Sequence, residues 1–284
     1  MNIISRGDIM DNKLSVGDNE LTERQKRESE YYNIYTSQFD VEYVDFDPVD
    51  GIQKRPWNSY WYVYDLVRMY YNKDKNKLLD FGCGWGETSV RFAKIGYEVY
   101  GFDVSEGNLK IAKKLARNYG LQNQIEFSLQ IAENLNYPSG FFDIIVGFDI
   151  LHHVDIKSAI LECKRVLKDG GVAIFREPVE VPIIDYIRNT KIIKYIIPNE
   201  KNFNVSEHIT QDERKLNKED SEIIKNVFPD IKEEKFCFLS RFDRYFRKYY
   251  RRSSPLEIID RKIFNIFPFF RKYGGDTVFI LNKK

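Results

Sequence analysis

Three glycines at alternate positions form the most distinctive motif of this sequence. Gly82, Gly84 and Gly86 lie in the segment LLDFGCGWGETSVRFA, where a short apolar run is followed by a helical pattern. Glycine at such a turn permits positive φ and lets backbone N–H groups approach a ligand without an intervening Cβ. The spacing therefore predicts a strand-to-helix loop that cradles part of a small molecule.

A carboxylate follows this loop at the end of the next apolar run. Asp103 in GFDVS comes 17 residues after Gly86, a separation at which an acid meets the two ribose hydroxyls of an adenosine. The dinucleotide fingerprint is G-x-G-x-x-G, and here the third glycine comes one position too early. The loop and the acid together predict an adenosine ligand, disfavour NAD, and do not match a phosphate-cradling P-loop.

Two adjacent histidines and a later glutamate are candidates for acid–base chemistry. Adjacent residues point to different sides of a strand or helix, so at most one of His152 and His153 faces a crevice. Glu177 in REPV follows the fifth apolar run, where a carboxylate can face a substrate. For a hydroxyl acceptor we hypothesise that His153 is the general base with Glu177 in support; the alternative is a packed histidine. Adjacent histidines are poorly spaced for a metal site, and none is predicted.

The elements that position these residues follow from the hydrophobic period. Short apolar runs alternate with helical patterns from about 77 to 178, which is typical of β-α-β units around a parallel sheet. The runs are KLLDF (77–81), YEVYGF (97–102), IEFSL (125–129), FDIIVG (142–147) and VAIF (172–175). Two later strands are predicted at 234–239 and 277–281. The fold class is α/β, a doubly wound and mostly parallel sheet.

Composition limits the classes of protein to which this chain can belong. The 284 residues contain 44 Lys and Arg and 43 Asp and Glu, a net charge of +1, which argues against a globally basic nucleic-acid-binding surface. Cys83, Cys163 and Cys237 are widely spaced and odd in number, so they predict neither a disulfide framework nor a CxxC metal site. No apolar run reaches the length of a membrane span. We expect a cytoplasmic protein.

The order of these blocks resembles the class I S-adenosylmethionine-dependent methyltransferases, in particular their small-molecule branch. The similarity extends from about Leu78 to Pro178 and returns in the last strands. It implies a seven-stranded Rossmann-like methyltransferase fold with helical additions at both ends, and S-adenosyl-L-methionine as the cofactor. The residues that it implies for cofactor binding are Asp80, Gly82, Cys83, Gly84, Gly86, Asp103, Val104, Ile131, Ala132 and Phe148.

The resemblance also implies a part of the cofactor for each position. Asp80 and the glycine loop hold the amino-acid end, Asp103 binds the ribose, and Val104 lies beside the adenine. Ile131 stands where the family has an Asp that reaches the adenine amino group, which leaves the backbone N–H of Ala132 for that role. Phe148 follows the fourth strand at the methionine end.

The C-terminal part carries a basic and aromatic segment. Residues 241–273 contain ten cations and three acids, a net charge of +7, interleaved with Phe and Tyr. A basic cap packed on the sheet, an anionic membrane surface and RNA each fit this pattern. The run IIDRKIFNIFPFF is apolar on nearly all sides, which favours packing or lipid over RNA.

The chain divides into four sections with different expected roles. Residues 1–75 are expected to form an N-terminal extension and helical lid, for which Tyr31, Tyr32, Tyr35 and Trp57 are candidates; ordinary core packing is the alternative for these four. The cofactor-binding core is 76–180, a substrate-side cap is 181–230, and 231–284 hold the last two strands with the basic insertion.

The expected function is methyl transfer to an oxygen, nitrogen or carbon of a small, apolar or lipid-like acceptor. An RNA or protein methyltransferase and a catalytically silent cofactor-binding subunit are the alternatives; nucleic acid is not the favoured partner.

Overall fold

The computed structural model describes residues 21–38, 41–50, 55–182, 186, 214–243 and 253–284. The strands are β1 (Lys77–Phe81), β2 (Glu98–Asp103), β3 (Ile125–Leu129), β4 (Phe142–Phe148), β5 (Leu167–Pro178), β6 (Ile231–Phe236) and β7 (Asp276–Asn282). They form one sheet in the order β3-β2-β1-β4-β5-β7-β6. Strands β1 to β5 are parallel, and β7 is antiparallel to both of its neighbours. The predicted doubly wound, mostly parallel sheet is confirmed.

Helices cover both faces of the sheet. They are α1 (Glu23–Thr36), α2 (Asp47–Asp50), α3 (Ser59–Tyr70), α4 (Glu87–Ile95), α5 (Glu106–Asn118), α6 (Ile156–Val166), α7 (Lys218–Val227) and α8 (Pro255–Ile266). Side-chain oxygens at the N-caps accept the first free backbone N–H groups of several helices, as the hydroxyls of Ser105 and Ser254 do. Among the described residues, no helix combines the length and the apolar character needed to cross a bilayer.

The core lies in two layers, one on each face of the sheet. Leu78 packs with the layer that contains residues of α3, α4 and α5, whereas its neighbour Leu79 packs with the layer that contains residues of α6 and α7. Because successive strand residues point to opposite faces, strands buried on both sides read as continuous apolar runs. This arrangement brings the carboxyl ends of β1 to β5 to one edge of the sheet, where ligands bind in folds of this type.

The sixth strand differs from its predicted boundaries. It was expected at 234–239, but β6 begins at Ile231 and ends at Phe236. Cys237 adopts a φ of 62°, which interrupts the extended backbone. The next N–H groups then turn away from β7 to the carboxylate of Asp260. A partner from a distant helix thus ends the strand before its apolar run ends.

Several sequence predictions lie outside the described residues. They concern residues 1–20, most of the predicted substrate-side cap, and residues 244–252 of the basic segment.

Candidate functional site

The glycine loop joins β1 to α4 at the carboxyl edge of the sheet. Gly82, Gly84 and Gly86 have φ values of 74°, 51° and 84°. A Cβ at Gly82 would lie 2.6 Å from the side chain of Ile150, and one at Gly86 would lie 2.6 Å from the Cβ of Ala112. A Cβ at Gly84 would meet nothing within 4 Å. The outer two glycines therefore permit close packing, while Gly84 borders open space that a ligand can fill.

Asp103 lies beside this open space at the end of β2. Its Oδ2 accepts the Gly84 N–H at 3.0 Å, and its Oδ1 accepts the Ser105 N–H at 2.9 Å and the Asn108 amide at 3.0 Å. Burial raises the pKa of Asp103, and these hydrogen bonds oppose the increase. A carboxylate offers about four acceptor positions, so about one is left for a ribose hydroxyl. Together with the open space at Gly84, this geometry fits the adenosine part of the cofactor.

Asp80 connects β1 to the first turn of α4. Its Oδ2 accepts hydrogen bonds from the hydroxyls of Thr88 at 2.7 Å and Ser89 at 2.5 Å. The side chain is buried, and burial raises its pKa to about 6 in spite of these hydroxyl contacts. Asp80 therefore holds the helix start in position beneath the loop.

We expect Asp80 to make folding stability depend on pH between about 4 and 6. Its folded pKa of about 6 exceeds the ordinary 3.8, so the free energy of unfolding decreases as pH rises through this window. The shift corresponds to about 3 kcal/mol. Urea unfolding of Asp80→Asn should therefore show about 2 kcal/mol less loss of stability than the parent from pH 4 to pH 7, since the unfolded carboxyl is already partly ionised at pH 4. Identical pH dependence of the two proteins would contradict this expectation.

The turn after β3 carries the residues that are expected beside the adenine. Gln130 is buried and shapes this turn, because its Oε1 accepts the Asn136 N–H at 2.7 Å. Ile131 is partly exposed and pairs with Asn134 in an isolated bridge, while Ala132 is buried. An apolar side chain thus stands where the family has an acid.

Helix α1 lies across the loops that follow β2, β3 and β4. Its contacts are hydrogen bonds from polar side chains on one side of the helix. They join Arg24 to the His152 carbonyl (2.7 Å), Gln25 to Glu133 (3.0 Å), Ser29 to the Val104 carbonyl (3.0 Å) and Asn33 to the Gly107 N–H (2.8 Å). The structure therefore places α1 over the carboxyl ends of β2, β3 and β4, next to Asp103.

The aromatic lid candidates separate into two places. Tyr31, Tyr32 and Tyr35 lie on α1, and the Tyr32 ring packs edge-on against His153 at a centroid distance of 6.3 Å. Trp57 is instead packed beneath Arg261 of α8, 4.6 Å from the guanidinium carbon. Trp57 is therefore not part of the α1 lid.

Glu177 organises the turn after β4 from a fully buried position. Its Oε1 accepts the N–H groups of Ile150 at 2.9 Å and Leu151 at 2.8 Å, and its Oε2 lies 2.7 Å from Nδ1 of His152. The expected support of His153 by Glu177 is therefore wrong, because the partner of Glu177 is the neighbouring histidine. With 0 % of the residue exposed, its carboxylate does not face a substrate.

His153 lies beneath α1 and next to the cofactor crevice. Its Nδ1 is 3.3 Å from Oε2 of Glu28 on α1, and its ring packs on that of His152 at a centroid distance of 4.2 Å. The charge of His153 is close enough to influence the pKa of Asp103. This histidine therefore contacts α1 and lies within electrostatic range of Asp103.

A polar cluster at the other end of the crevice was missed by the sequence reasoning. Arg176 pairs with Asp149 and donates to Oδ2 of Asp276 at 2.5 Å and to the Ser59 hydroxyl at 3.2 Å. Asp149 has a φ of 51°, uncommon for a residue other than glycine, and its side chain is 44 % exposed. The local signal was a polar residue directly after β4, and another directly after the apolar run 172–175 within β5. The partners from α3 and β7 become neighbours only in the folded sheet.

An aromatic wall adjoins this cluster at the end of β4. Phe148 packs against Tyr60 at 4.7 Å and against Tyr64 at 5.6 Å between ring centroids. Arg91 donates to the Tyr60 hydroxyl at 2.6 Å. Burial raises the pKa of Tyr60, so its hydroxyl stays protonated at neutral pH. Phe148, which was predicted to lie at the crevice, thus packs among tyrosine rings that offer both apolar surface and a phenol hydroxyl.

Within the part of the chain that the structure describes, no group of three or more His, Cys, Asp or Glu side chains is arranged to hold a metal ion.

Comparison with known sequences identifies the central section. Residues 79–175 match the family described as a methyltransferase domain. The ubiquinone biosynthesis O-methyltransferase of Ruegeria sp. (strain TM1040) is 35 % identical over 99 residues, which are 34 % of this chain and 39 % of that protein. The uncharacterized methyltransferase YcgJ of Bacillus subtilis (strain 168) is 31 % identical over 118 residues, or 40 % and 46 % of the two chains. The chain thus matches less than half the length of these relatives.

Comparison with solved structures shows the fold. Geranyl diphosphate C-methyltransferase from Streptomyces coelicolor A3(2) aligns with a TM-score of 0.56 and 13 % identity, over 92 % of this chain and 98 % of that one. The [4+2]-cyclase SpnF aligns with a TM-score of 0.51 and 21 % identity, over 78 % and 80 %. A fold shared with a cyclase does not by itself specify the reaction. The family match, however, includes the glycine loop, Asp103 and the strands around them, and residues 79–175 of this chain therefore form a domain of the class I S-adenosylmethionine-dependent methyltransferase family.

Proposed function

We propose that this protein transfers a methyl group from S-adenosyl-L-methionine to a small, apolar acceptor. The observation that carries the proposal is the open space at Gly84 next to Asp103, since this pair fits an adenosine at the carboxyl edge of a methyltransferase domain. When bound, the cofactor supplies an activated methyl group. The relatives' names mention ubiquinone biosynthesis and geranyl diphosphate, which supports a small-molecule acceptor over RNA or protein.

In this proposal, different residues of the chain bind different parts of the cofactor. Asp103 accepts a ribose hydroxyl, and Val104 and Ile131 flank the adenine, to which Ala132 offers its backbone N–H. The amino-acid end lies along the loop that Asp80 supports, next to Phe148. Cys83 fills space within this loop: it is buried, and burial raises the pKa of its thiol well above the usual range, so it is not a nucleophile.

Orientation of the acceptor and the methyl donor is expected to contribute more to the rate than a general base. Holding nucleophile and electrophile in line can lower a barrier by about 7–11 kcal/mol, whereas one general base typically contributes about 10²- to 10⁴-fold. The aromatic wall of Phe148 and Tyr60 is suited to position an apolar acceptor, and the Asp149–Arg176 pair adds polar groups beside it. Glu177 acts as a positioning residue, because it holds the turn that carries His153.

His153 stays our proposed base for a hydroxyl acceptor. We expect His153→Ala to lower kcat by about 100-fold or more at saturating substrate. The matched control is Glu28→Gln, which alters the contact between His153 and α1 but keeps the imidazole; its kcat should stay within about threefold of the parent. Full turnover by His153→Ala would exclude the base, and an equal loss in both variants would assign His153 to lid anchoring.

The function itself is tested by binding and transfer together. Calorimetry should detect S-adenosylhomocysteine binding, and a radiolabelled methyl group from S-adenosylmethionine should enter an organic-soluble product when a bacterial lipid and quinone extract is supplied. Label in RNA or protein would support the alternative methyltransferase. Binding without transfer to any of these acceptors would support a catalytically silent subunit, and absence of binding would refute the proposal.

The proposal also includes contact with a membrane surface and a location in the cell. Contact of residues 241–273 with a membrane surface suits an apolar acceptor, because it would shorten the transfer of that acceptor from lipid to the crevice. A cytoplasmic location stays a prediction, supported by three widely spaced cysteines that form no disulfide.

A further inference from the structure

Helix α8 and the turn after it present a run of exposed apolar side chains. All five residues from 265 to 269 are exposed, and Ile266, Phe267 and Phe269 expose 67 %, 50 % and 61 % of their surface. Ile258 and Ile259 are also exposed on α8. Such a continuous patch on a protein surface commonly marks a site of interaction, in contrast to a single exposed apolar residue such as Leu161 on α6.

In the same segment the acidic side chains are buried, whereas the described lysines are exposed. Asp243, Glu257 and Asp260 are all buried. Glu257 pairs with Arg55 and caps α8, and Asp260 accepts the N–H groups of the turn at 238–240. The described cations Lys262 and Lys272 are exposed instead. The surface around the apolar run therefore carries a positive charge that the acids of the segment do not neutralise.

Arg271 adds to this positive surface. Its side chain is 41 % exposed, and its ion pair with Glu234 is long, at 3.8 Å. A pair of that length at the surface contributes little and leaves the guanidinium available for another anion.

The two kinds of side chain alternate along one side of α8. Ile258, Lys262 and Ile266 are spaced by four residues and all are exposed, whereas Glu257 and Phe264 are buried. Residues four apart lie on the same side of a helix. The result is a helix with one side packed on the protein and an outer side on which isoleucines and a lysine lead to the two phenylalanines.

The start of α8 is linked through the buried Glu257 to the residues at the carboxyl edge of the sheet. Asn58 donates to Glu257 at 3.1 Å and caps α3 with its own oxygen. The next residue, Ser59, donates to Asp276 at 2.8 Å, and Asp276 pairs with Arg176 at the crevice. The start of α8 therefore lies close to the edge of the sheet where the acceptor is proposed to bind.

We propose that this apolar and basic face docks on an anionic lipid surface. The face consists of Ile258, Ile259, Lys262, Ile266, Phe267, Phe269, Arg271 and Lys272. Its phenylalanines and isoleucines enter the headgroup region while the cations contact lipid phosphates, which is how amphipathic helices bind at membrane interfaces. Lipid suits it better than RNA because its centre is apolar. Docking would place the crevice edge near the bilayer, and only this consequence rests on the proposed function.

The test is co-sedimentation of the full chain with phosphatidylcholine vesicles, with and without phosphatidylglycerol. We expect binding only when phosphatidylglycerol is present, and a decrease of binding with added salt. The double variant Phe267→Ser and Phe269→Ser should weaken partitioning by about tenfold or more. The control Leu161→Ser, which changes an apolar side chain that is 48 % exposed on α6, should bind as the parent does.

Other outcomes would overturn the docking proposal. These are equal binding to neutral vesicles, no binding to either kind, or a parent dimer that the double variant converts to a monomer in light scattering, which would make the patch an interface between copies. Salt-sensitive RNA binding lost in the double variant would assign the surface to RNA. Because vesicle binding needs neither cofactor nor acceptor, its failure leaves the methyltransferase proposal intact. In turn, failure of methyl transfer leaves the vesicle result unaffected, and calorimetry with S-adenosylhomocysteine should be unchanged in the double variant.

Discussion

Replacing Gly84 with leucine is expected to abolish measurable cofactor binding, with an affinity decrease of about 100-fold or more. A Cβ at this position projects into open space next to Asp103, so the larger side chain would occupy the volume that the adenosine needs. Leucine at positive φ also costs about 1–2 kcal/mol of folding stability. Calorimetric titration with S-adenosylhomocysteine, together with urea unfolding, measures the two effects separately.

The matched control for this variant is Gly170→Leu. Gly170 has a φ of 74° and, like Gly84, nothing within 4 Å of an added Cβ, but it lies between α6 and the paired part of β5. The two variants should lose similar amounts of stability, and only the Gly84 variant should lose binding. Parent-like binding by Gly84→Leu would show that the loop does not cradle the cofactor.

Asp103→Asn is expected to lower the affinity for S-adenosylhomocysteine by about 10- to 100-fold. A hydrogen bond to a charged group contributes about 1.5–3 kcal/mol, and the amide removes the charge at the ribose. The substitution also weakens the contact with the Gly84 N–H, which helps to hold the loop. Calorimetry at constant pH measures the change.

A suitable control is Asp143→Asn near the opposite edge of the sheet. Asp143 also accepts a backbone N–H, that of Lys77 at 3.1 Å, and pairs with Lys168, but it lies at the start of β4 and away from the crevice. It should reduce stability without reducing affinity. If Asp103→Asn bound S-adenosylhomocysteine as well as the parent, the ribose assignment would be refuted.

Local sequence signals were sufficient for the centre of the fold. The positions of β1 to β4 agree with the short apolar runs, because strands buried on both faces need apolar residues at every position. The positive φ values at Gly82, Gly84 and Gly86 match their spacing, since only glycine takes this conformation at low cost. The position of Asp103 at the end of β2 likewise depends on a short distance along the chain.

Strand ends and partners could not be obtained in the same way. β5 extends from Leu167 to Pro178, well beyond the predicted run at 172–175. Pairing with β7 carries its carboxyl end to Pro178, and pairing with Phe142 of β4 includes Leu167 at its start. β6 ends early because an acid from α8 takes over its next N–H groups. In both cases the boundary depends on a segment far away in the sequence.

The sequence by itself determined the elements around the cofactor, since hydrophobic period, turn glycines and an acid at fixed spacing act over a few residues. Only the tertiary structure decided the side-chain partners. Glu177 pairs with His152 and not with His153, because the turn after β4 brings the His152 imidazole to the end of β5. Ser59 and Asp276, 217 residues apart, meet because β7 inserts antiparallel beside β5. The charge that α8 and its surroundings expose at the surface likewise depends on which side chains the fold buries, and the order of residues does not show this.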